Sequence, residues 1–246
     1  MCAICLGVMT TSLGGSNIAL AKSKKYIKIK DFFSERKLYL IILSMLGIFA
    51  FLPILAPIFQ AIGFSGLAAI IYGGYFFFCH QRASHSFHIF NYQFAYCARD
   101  TAIWTTVFFI NLIRYYFYFK PIKWYYAVLL SVPMLLDGGT QFFAYLNNAT
   151  SGGSIFYESS NLSRTITGAL FGIAIGGSLI AYLTDTVAPH LQEGRKHIKM
   201  LSTTILTFTI AALFFIIIYV AEVLQVLYIQ LQLYLIQDLE NMDIHS

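Results

Sequence analysis

Residues 38–59 read LYLIILSMLGIFAFLPILAPIF, a run of 22 residues without a charged side chain. A helix needs about 20 apolar residues to cross a lipid bilayer, so this stretch is long enough to span a membrane. The rest of the chain has a similar character, since 58% of its 246 residues are hydrophobic and 11% are charged. An ordinary soluble domain carries about 25% charged residues. The composition predicts an integral membrane protein and excludes a soluble enzyme, a disordered chain and a DNA-binding module.

Further apolar runs predict an all-α, polytopic transmembrane helix bundle with about six membrane helices. Helices are expected because every backbone amide in lipid must find its hydrogen-bond partner within its own segment. We place an N-terminal segment at 1–37, the transmembrane domain at 38–220 and an amphipathic helix extension with a tail at 221–246. The six runs occupy residues 38–59, 61–78, 98–119, 124–136, 165–183 and 201–220.

Basic residues crowd together before the first run, where seven of the sixteen Lys and Arg lie between Lys22 and Lys37. Such residues beside a membrane helix favour the cytoplasmic side. We therefore predict a multi-pass protein of the cell membrane with a cytoplasmic N-terminus and the lipid bilayer as its main partner. Six crossings would place the connections 79–97 and 137–164 in the cytoplasm. The net charge of +5 does not indicate a nucleic-acid partner, because the basic residues do not line a soluble domain.

Thiols, an imidazole and a carboxylate flank the connection between the second and third runs. Cys79 and His80 end the second run, whereas Cys97 and Asp100 begin the third. The last two share a helix face because they are three residues apart. Sulfur, nitrogen and oxygen donors of this kind suit a borderline metal ion in tetrahedral geometry. These four residues are the candidate metal site, with zinc as the cofactor, although adjacent Cys79 and His80 need an irregular backbone to share one ion.

Other polar side chains concentrate on the same side of the membrane, because the ends of the second to fifth runs face one another in a six-crossing topology. Asp137 is the candidate catalytic residue, as a general base. The sequence Asp-Gly-Gly at 137–139 is also typical of a turn that ends the short fourth run. Planar guanidinium groups could bind an anionic headgroup. The candidate substrate-binding residues are Arg99, Gln141, Asn161 and Arg164.

Glycines recur at every fourth position of the fifth run and therefore share one helix face, where two helix backbones can approach closely. The pattern predicts tight packing within the bundle, and it also allows self-association through the same face. The three glycines are Gly168, Gly172 and Gly176.

The donor set leads us to predict a metal-dependent membrane enzyme, a hydrolase or transferase that acts on a lipid-linked or amphipathic substrate at one membrane face. A membrane carrier or channel is the first alternative, because prolines and glycines allow broken helices around a polar pocket. A thiol-redox protein is the second alternative. Asp100 weakens it, because a C-x-x-C pair would have its second cysteine there. A structural or assembly role through the glycine face is the third.

Five different short motifs follow one another through the middle of the chain: Cys79-His80-Gln81, Ser86-Phe87, Cys97-Ala98-Arg99 with Thr101, Asp137-Gly138 with Thr140-Gln141, and Asn161 with Arg164 and Thr167-Gly168. They resemble an uncharacterised family of small predicted membrane proteins from bacteria and archaea, over residues 79–189. The family pattern reads approximately C-H-Q, R-S-F, C-A-R-C-T-G, D-G-x-T-Q and N-x-x-R-x-x-T-G. The chain departs from it at His85, Asp100 and Ala102, where the pattern has Arg, Cys and Gly. A carboxylate can still bind a metal as a harder donor, so the resemblance favours a metal site over a C-x-x-C redox pair.

Overall fold

The computed structural model describes residues 35–151, 159–187 and 197–244. Residues 1–34, with Cys2, Cys5 and most of the predicted basic segment, lie outside this part. A π-helical turn over Gly176–Ile180 joins the helices Asn161–Ile175 and Ala181–Val187. The predicted all-α architecture is confirmed. The helices are α1 (Glu35–Ala61), α2 (Ser65–Tyr75), α3 (Ala98–Tyr116), α4 (Trp124–Ser151), α5 (Asn161–Ile175), α6 (Ala181–Val187) and α7 (Met200–Ile244).

A short hairpin lies between α2 and α3, after a 3₁₀ turn at Ala83–His85. Strands β1 (His88–Ile89) and β2 (Tyr92–Gln93) pair antiparallel, with His88 opposite Gln93. The two residues between them, Phe90 and Asn91, both have positive φ angles, 53° and 65°. Two positive φ angles are the signature of the type I′ hairpin turn. These strands were not predicted from the sequence, because two-residue strands show no alternating pattern.

Four of the described helical segments are long and apolar enough to cross a membrane. Their number does not confirm the expected six spans. The second and third apolar runs account for the difference. The four segments are Lys37–Ala61, Trp124–Ala144, Asn161–Thr186 and Met200–Tyr234.

The second run forms the short helix α2, which folds back beside α1. Its 11 residues extend for about 16 Å, roughly half of the hydrocarbon thickness. Gly63, with a φ angle of 91°, lies in the turn that reverses the chain after α1. The hydroxyl of Tyr75 at the far end of α2 then donates to the carbonyl of Ile48 (3.4 Å). This segment therefore enters the bundle for half its depth instead of crossing it.

The third run forms α3, the most buried helix of the bundle. Eleven of its 19 residues are buried, among them Arg114 and Asn111. Side chains of α7, including Phe215, pack with Ala98 and Ala102 in the largest core cluster. A helix surrounded by protein need not be apolar on every face, which explains why α3 carries polar residues within the bundle.

Contacts between α1, α3 and α5 give the directions of these helices. Tyr39, near the start of α1, donates its hydroxyl to the carbonyl of Asn111 near the end of α3 (2.8 Å), so these two helices are antiparallel. Gly168 and Gly172 of α5 face Arg99 and Ile103 in turn, so α5 runs parallel to α3.

The remaining two long helices run in the direction of α1. Asp137 in α4 pairs with Arg99 at the start of α3. The start of α7 lies near Tyr118, whose carbonyl accepts from Ile198 (3.0 Å), and Glu222 farther along α7 accepts from the backbone of His88 (2.6 Å). We call the end of the bundle beside the hairpin the hairpin end. The end at which α1, α4 and α7 begin is the opposite end.

The glycine face of α5 packs against α3, as the sequence predicted. A Cβ atom on Gly168 would lie 2.6 Å from the carbonyl oxygen of Arg99, and one on Gly172 would lie 2.6 Å from that of Ile103. Gly176 faces Val107 and Ile110 in the same way. Because α3 of the same chain already covers this face, these three glycines are not available for the self-association that the sequence allowed.

The fourth run is longer than predicted, because α4 continues through Pro133 and Asp137 to Ser151. The expected turn at the Asp-Gly-Gly sequence was wrong. The carboxylate of Asp137 accepts hydrogen bonds from side chains of α3 and α5. It therefore does not bond to the local backbone as it would in a turn or at a helix N-cap, and α4 continues through this position. A Cβ atom on the next residue, Gly138, would make an ordinary van der Waals contact with a guanidinium nitrogen of Arg99 (3.6 Å).

Candidate metal and polar site

Two cysteines and a carboxylate meet at the hairpin end, where the chain enters α3. One ligand atom from each of Cys79, Cys97 and Asp100 lies within 4.8 Å of the others. The Cys97 sulfur is 3.2 Å from the Asp100 carboxylate. Two sulfurs on a tetrahedral zinc ion, each about 2.3 Å from the metal, lie about 3.8 Å apart. Small side-chain movements would therefore let this Cys–Cys–Asp cluster hold such an ion.

Backbone amides hold the two sulfurs in place. Cys97 is the N-cap of α3, and its sulfur accepts a hydrogen bond from the amide of Asp100 (3.4 Å). The sulfur of Cys79 accepts from the amide of Cys97 (3.2 Å). A helix N-terminus and N–H donors both stabilise negative charge on a ligand. The local fold thus presents sulfur donors in an environment that can support thiolates.

The negative charge of the Asp100 carboxylate, which no cation in the cluster balances, opposes ionisation of the neighbouring thiols. The hydrogen bond with Cys79, burial and the nearby Asp100 carboxylate together raise the pKa of the Cys97 thiol well above its ordinary value. A bound cation would reverse this effect, because it stabilises the ionised form of each ligand. The hydroxyl of Tyr96, which packs with Cys79, is buried without a hydrogen-bond partner among the described residues. The donor set and this unsatisfied hydroxyl both fit a site that holds an additional group.

His80, the fourth predicted ligand, is exposed and does not belong to the cluster. The structure therefore brings together three of the four predicted ligands. Three protein ligands are typical of catalytic zinc sites, in which the fourth position is left for water or substrate.

Asp137 lies at the centre of a second polar group that joins three helices. Its carboxylate forms an ion pair with Arg99 of α3 and accepts hydrogen bonds from Ser163 (3.2 Å) and Thr167 (3.5 Å) of α5. The side chains of Arg99 and Asp137 are 18% and 7% exposed. We call this group the Asp137 network. Its carboxylate is fully partnered here, so action as a general base, which stays a prediction, would require Arg99 to move away.

The other predicted substrate-binding residues lie beside this network. Arg164 donates to the side-chain oxygens of Gln141 (3.0 Å) and Asn161 (3.2 Å). These contacts join the far part of α4 to the start of α5. An anionic ligand would have to compete with Asp137 for Arg99 and with two neutral amides for Arg164.

Arg99 and Asp100 connect the two groups, since they are neighbours in the first turn of α3. Arg99 extends toward α4, whereas Asp100 contacts Cys97. The Nε atom of Arg99 is buried without a hydrogen-bond partner among the described residues. The guanidinium therefore keeps one donor that its contacts with Asp137 do not use.

Glutamine side chains tie the connection before α3 to α2. Gln81, whose φ angle is 47°, donates its side-chain amide to the carbonyl of Tyr72 (2.8 Å), and Gln93 donates to the carbonyl of Gln81 (3.0 Å). The hydroxyl of Tyr72 donates to the carbonyl of Gln93 (2.5 Å). These roles were not predicted from the sequence, and neither were those of Ser163 and Thr167. None of these residues is charged, but Gln81 and Thr167 belong to the motifs quoted above, which is the signal that could have indicated them.

The Cys–Cys–Asp cluster lies inside the bundle, some distance from the hairpin end. The amide of Ala95 donates to the carbonyl of Pro53 in α1 (3.1 Å). Pro53 is eight residues before the last residue of α1, Ala61, a distance of about 12 Å along a helix. Cys97 follows Ala95 by two residues, so the metal candidate lies within the depth of the apolar helices.

Residues 79–178 match the family model described as predicted membrane protein DUF2085. This range includes every predicted site residue, and the match agrees with the family type that the motifs suggested. No curated protein and no solved structure matches the chain. The family match and the four apolar helices together identify the chain as an integral membrane protein.

Proposed function

We propose that this protein is a metal-dependent membrane enzyme that holds zinc through Cys79, Cys97 and Asp100. The observation that carries the proposal is the convergence of their ligand atoms within 4.8 Å. Zinc in such a site acts as a Lewis acid and lowers the pKa of a bound water to about 7. The three-ligand set favours hydrolase or transferase chemistry, because it leaves a coordination position for a reactant.

The substrate class we propose is lipid-linked or amphipathic. The depth of the cluster supports it, because a headgroup attached to an acyl chain can reach such a site. Phe76, Phe77 and Phe78, just before Cys79, are 64%, 83% and 41% exposed and suit contact with lipid chains. In this proposal Arg99 and Arg164, with Gln141 and Asn161, orient an anionic headgroup. Asp137 accepts a proton once the ligand has drawn Arg99 away.

We further propose five crossings of the cell membrane, in place of about six, with a cytoplasmic N-terminus. The fifth crossing is α3, whose 19 residues extend for about 28 Å. Its burial among α1, α5 and α7 supports a crossing despite its charged residues. Helix α2 enters from the hairpin end and does not cross.

Metal analysis of the detergent-purified protein tests the proposal. We expect about one zinc per chain in the natural protein and almost none in the Cys79→Ser/Cys97→Ser variant, because serine hydroxyls are poor zinc ligands. The Cys2→Ser/Cys5→Ser variant, which also lacks two thiols, should keep its zinc. Retention of zinc by His80→Ala would support three protein ligands. A natural protein without metal after purification in added zinc, or equal metal content in the Cys79/Cys97 variant, would contradict the proposal.

A thiol-redox function is the second candidate, and the closeness of the Cys79 and Cys97 sulfurs within the cluster favours it. Mass spectrometry of alkylated, air-exposed protein distinguishes the two. A Cys79–Cys97 disulfide in protein that purifies without zinc would favour redox chemistry. Two alkylated thiols after zinc removal would oppose it.

A further inference from the structure

The directions of the helices separate the two ends of the bundle across the membrane. Helices α1, α4 and α7 run toward the hairpin end, whereas α3 and the pair α5–α6 run away from it. The Cys–Cys–Asp cluster and the Asp137 network both lie at the hairpin end, and α1 begins at the opposite end. The candidate site and the start of α1 therefore face different sides of the membrane.

Lys and Arg residues are distributed very unevenly between these ends. Only Arg82, Arg99 and Arg164 lie at the hairpin end. Thirteen of the sixteen basic residues lie at the opposite end or in the chain segments that lead directly into it. Those in described parts are Arg36, Lys37, Arg114, Lys120, Lys123 and Lys199. Those in adjoining sequence are Lys22, Lys24, Lys25, Lys28, Lys30, Arg195 and Lys196.

Ion pairing makes the asymmetry stronger. Arg99 pairs with Asp137 and Arg114 pairs with Asp185 inside the bundle, so neither is a free charge of a loop. Without them, two basic residues remain at the hairpin end, against five at the other end and seven in the sequence that adjoins it. Membrane proteins retain Lys- and Arg-rich loops on the cytoplasmic side, and a ratio of this size gives a clear orientation.

From this distribution we infer that the Cys–Cys–Asp cluster and the Asp137 network open to the extracytoplasmic side of the membrane. The inference rests on the proposed function for the role of the metal, but its orientation rests on helix direction and charge alone. It reverses the expectation from six crossings, which placed the connections 79–97 and 137–164 in the cytoplasm.

The orientation narrows the substrate class of the proposed enzyme. A site about 12 Å below the hairpin end is within reach of the outer leaflet and of molecules outside the cytoplasm. Soluble cytoplasmic metabolites would meet only the basic end. The substrate is therefore an amphiphile of the outer leaflet or one delivered there, and the metal is acquired on that side.

Reporter cysteines test the orientation without relying on the metal. Ser84, beside the hairpin, and Lys120, at the opposite end, are both exposed. Each is changed to cysteine, Ser84→Cys or Lys120→Cys, in full-length protein with Cys2→Ser and Cys5→Ser. Sealed right-side-out vesicles are then treated with a membrane-impermeant maleimide. The parent protein with neither reporter gives the background from Cys79 and Cys97.

We expect Ser84→Cys to be labelled in sealed vesicles and Lys120→Cys to be labelled only after permeabilisation. Permeabilised vesicles should label both, which shows that both reporters react. The reverse pattern would overturn the inference. Metal-free purified protein with external labelling at Ser84→Cys would leave the orientation intact while removing the proposed enzyme function. Zinc-bound protein with reversed labelling would support the metal site while overturning the inferred orientation.

Discussion

Replacement of Asp137 by alanine should lower the free energy of unfolding by about 3–5 kcal/mol, the usual cost of removing one partner from a buried ion pair. Arg99 would keep its charge in a site where its side chain is only 18% exposed. The hydroxyl of Ser163 would lose its acceptor at the same time, whereas that of Thr167 would keep the carbonyl of Ser163 (2.9 Å). Since this carboxylate joins α4 to both α3 and α5, we expect loosening of α4 in particular.

A double-mutant cycle separates the ion pair from general damage to the helix. The cycle compares Arg99→Met, Asp137→Leu and the double variant Arg99→Met/Asp137→Leu. The double variant removes both charges while keeping apolar volume, so it should recover much of the stability that Asp137→Leu loses. Reversible unfolding in mixed detergent micelles measures each step. Losses below about 0.5 kcal/mol, with additive single changes, would mean that the pair behaves like an exposed one.

The predicted site residues lie together in the structure, except His80, but at the end of the bundle opposite the start of α1. Both the six-crossing topology and the observed fold bring Cys79, Arg99, Asp137 and Arg164 together. They differ in the run 61–78, which is apolar enough for a span yet forms the half-length helix α2. In the proposed topology of five crossings, this half-crossing moves every later connection to the other side of the membrane.

The apolar composition of α2 could not reveal its depth. Whether such a run crosses depends on the reversal at Gly63 and on tertiary contacts such as that of Tyr75 with Ile48, and neither leaves a periodic signal. The reverse error occurred in α4, where Asp-Gly-Gly suggested a turn. Local turn preference was overridden because Arg99 and Ser163 partner Asp137 from neighbouring helices. Both errors come from contacts between residues far apart in the chain.

The metal ligands also combine a local feature that the sequence predicts with a long-range contact that it does not. Spacing alone put Cys97 and Asp100 on one helix face, and the structure agrees. Cys79 joins them because the connection before α3 returns to that helix, whereas the adjacent His80 is exposed and does not belong to the cluster. Two adjacent residues need an irregular backbone to share one ion, and the structure brings only Cys79 of this pair to the cluster.

Gly172→Ala should destabilise the bundle by about 1–3 kcal/mol, although alanine is the better helix former. Its Cβ atom would lie 2.6 Å from the carbonyl oxygen of Ile103 and 2.9 Å from the Cβ of Thr106. The first contact is with backbone of a buried helix, which cannot turn aside as a flexible side chain can. The helices α3 and α5 would have to separate, and the polar contacts at both ends of their interface would weaken.

Gly139→Ala is the matched control, because Gly139 is also helical and a Cβ atom there would meet nothing within 4 Å. It should leave stability unchanged or raise it by about 0.5–1 kcal/mol, as removal of a helical glycine normally does. Thermal unfolding in one detergent compares the two variants with the natural protein. Equal midpoints for both would show that the α3–α5 contact is looser than the geometry implies. A loss confined to Gly172→Ala would show that glycine is required there by the closeness of two helix backbones.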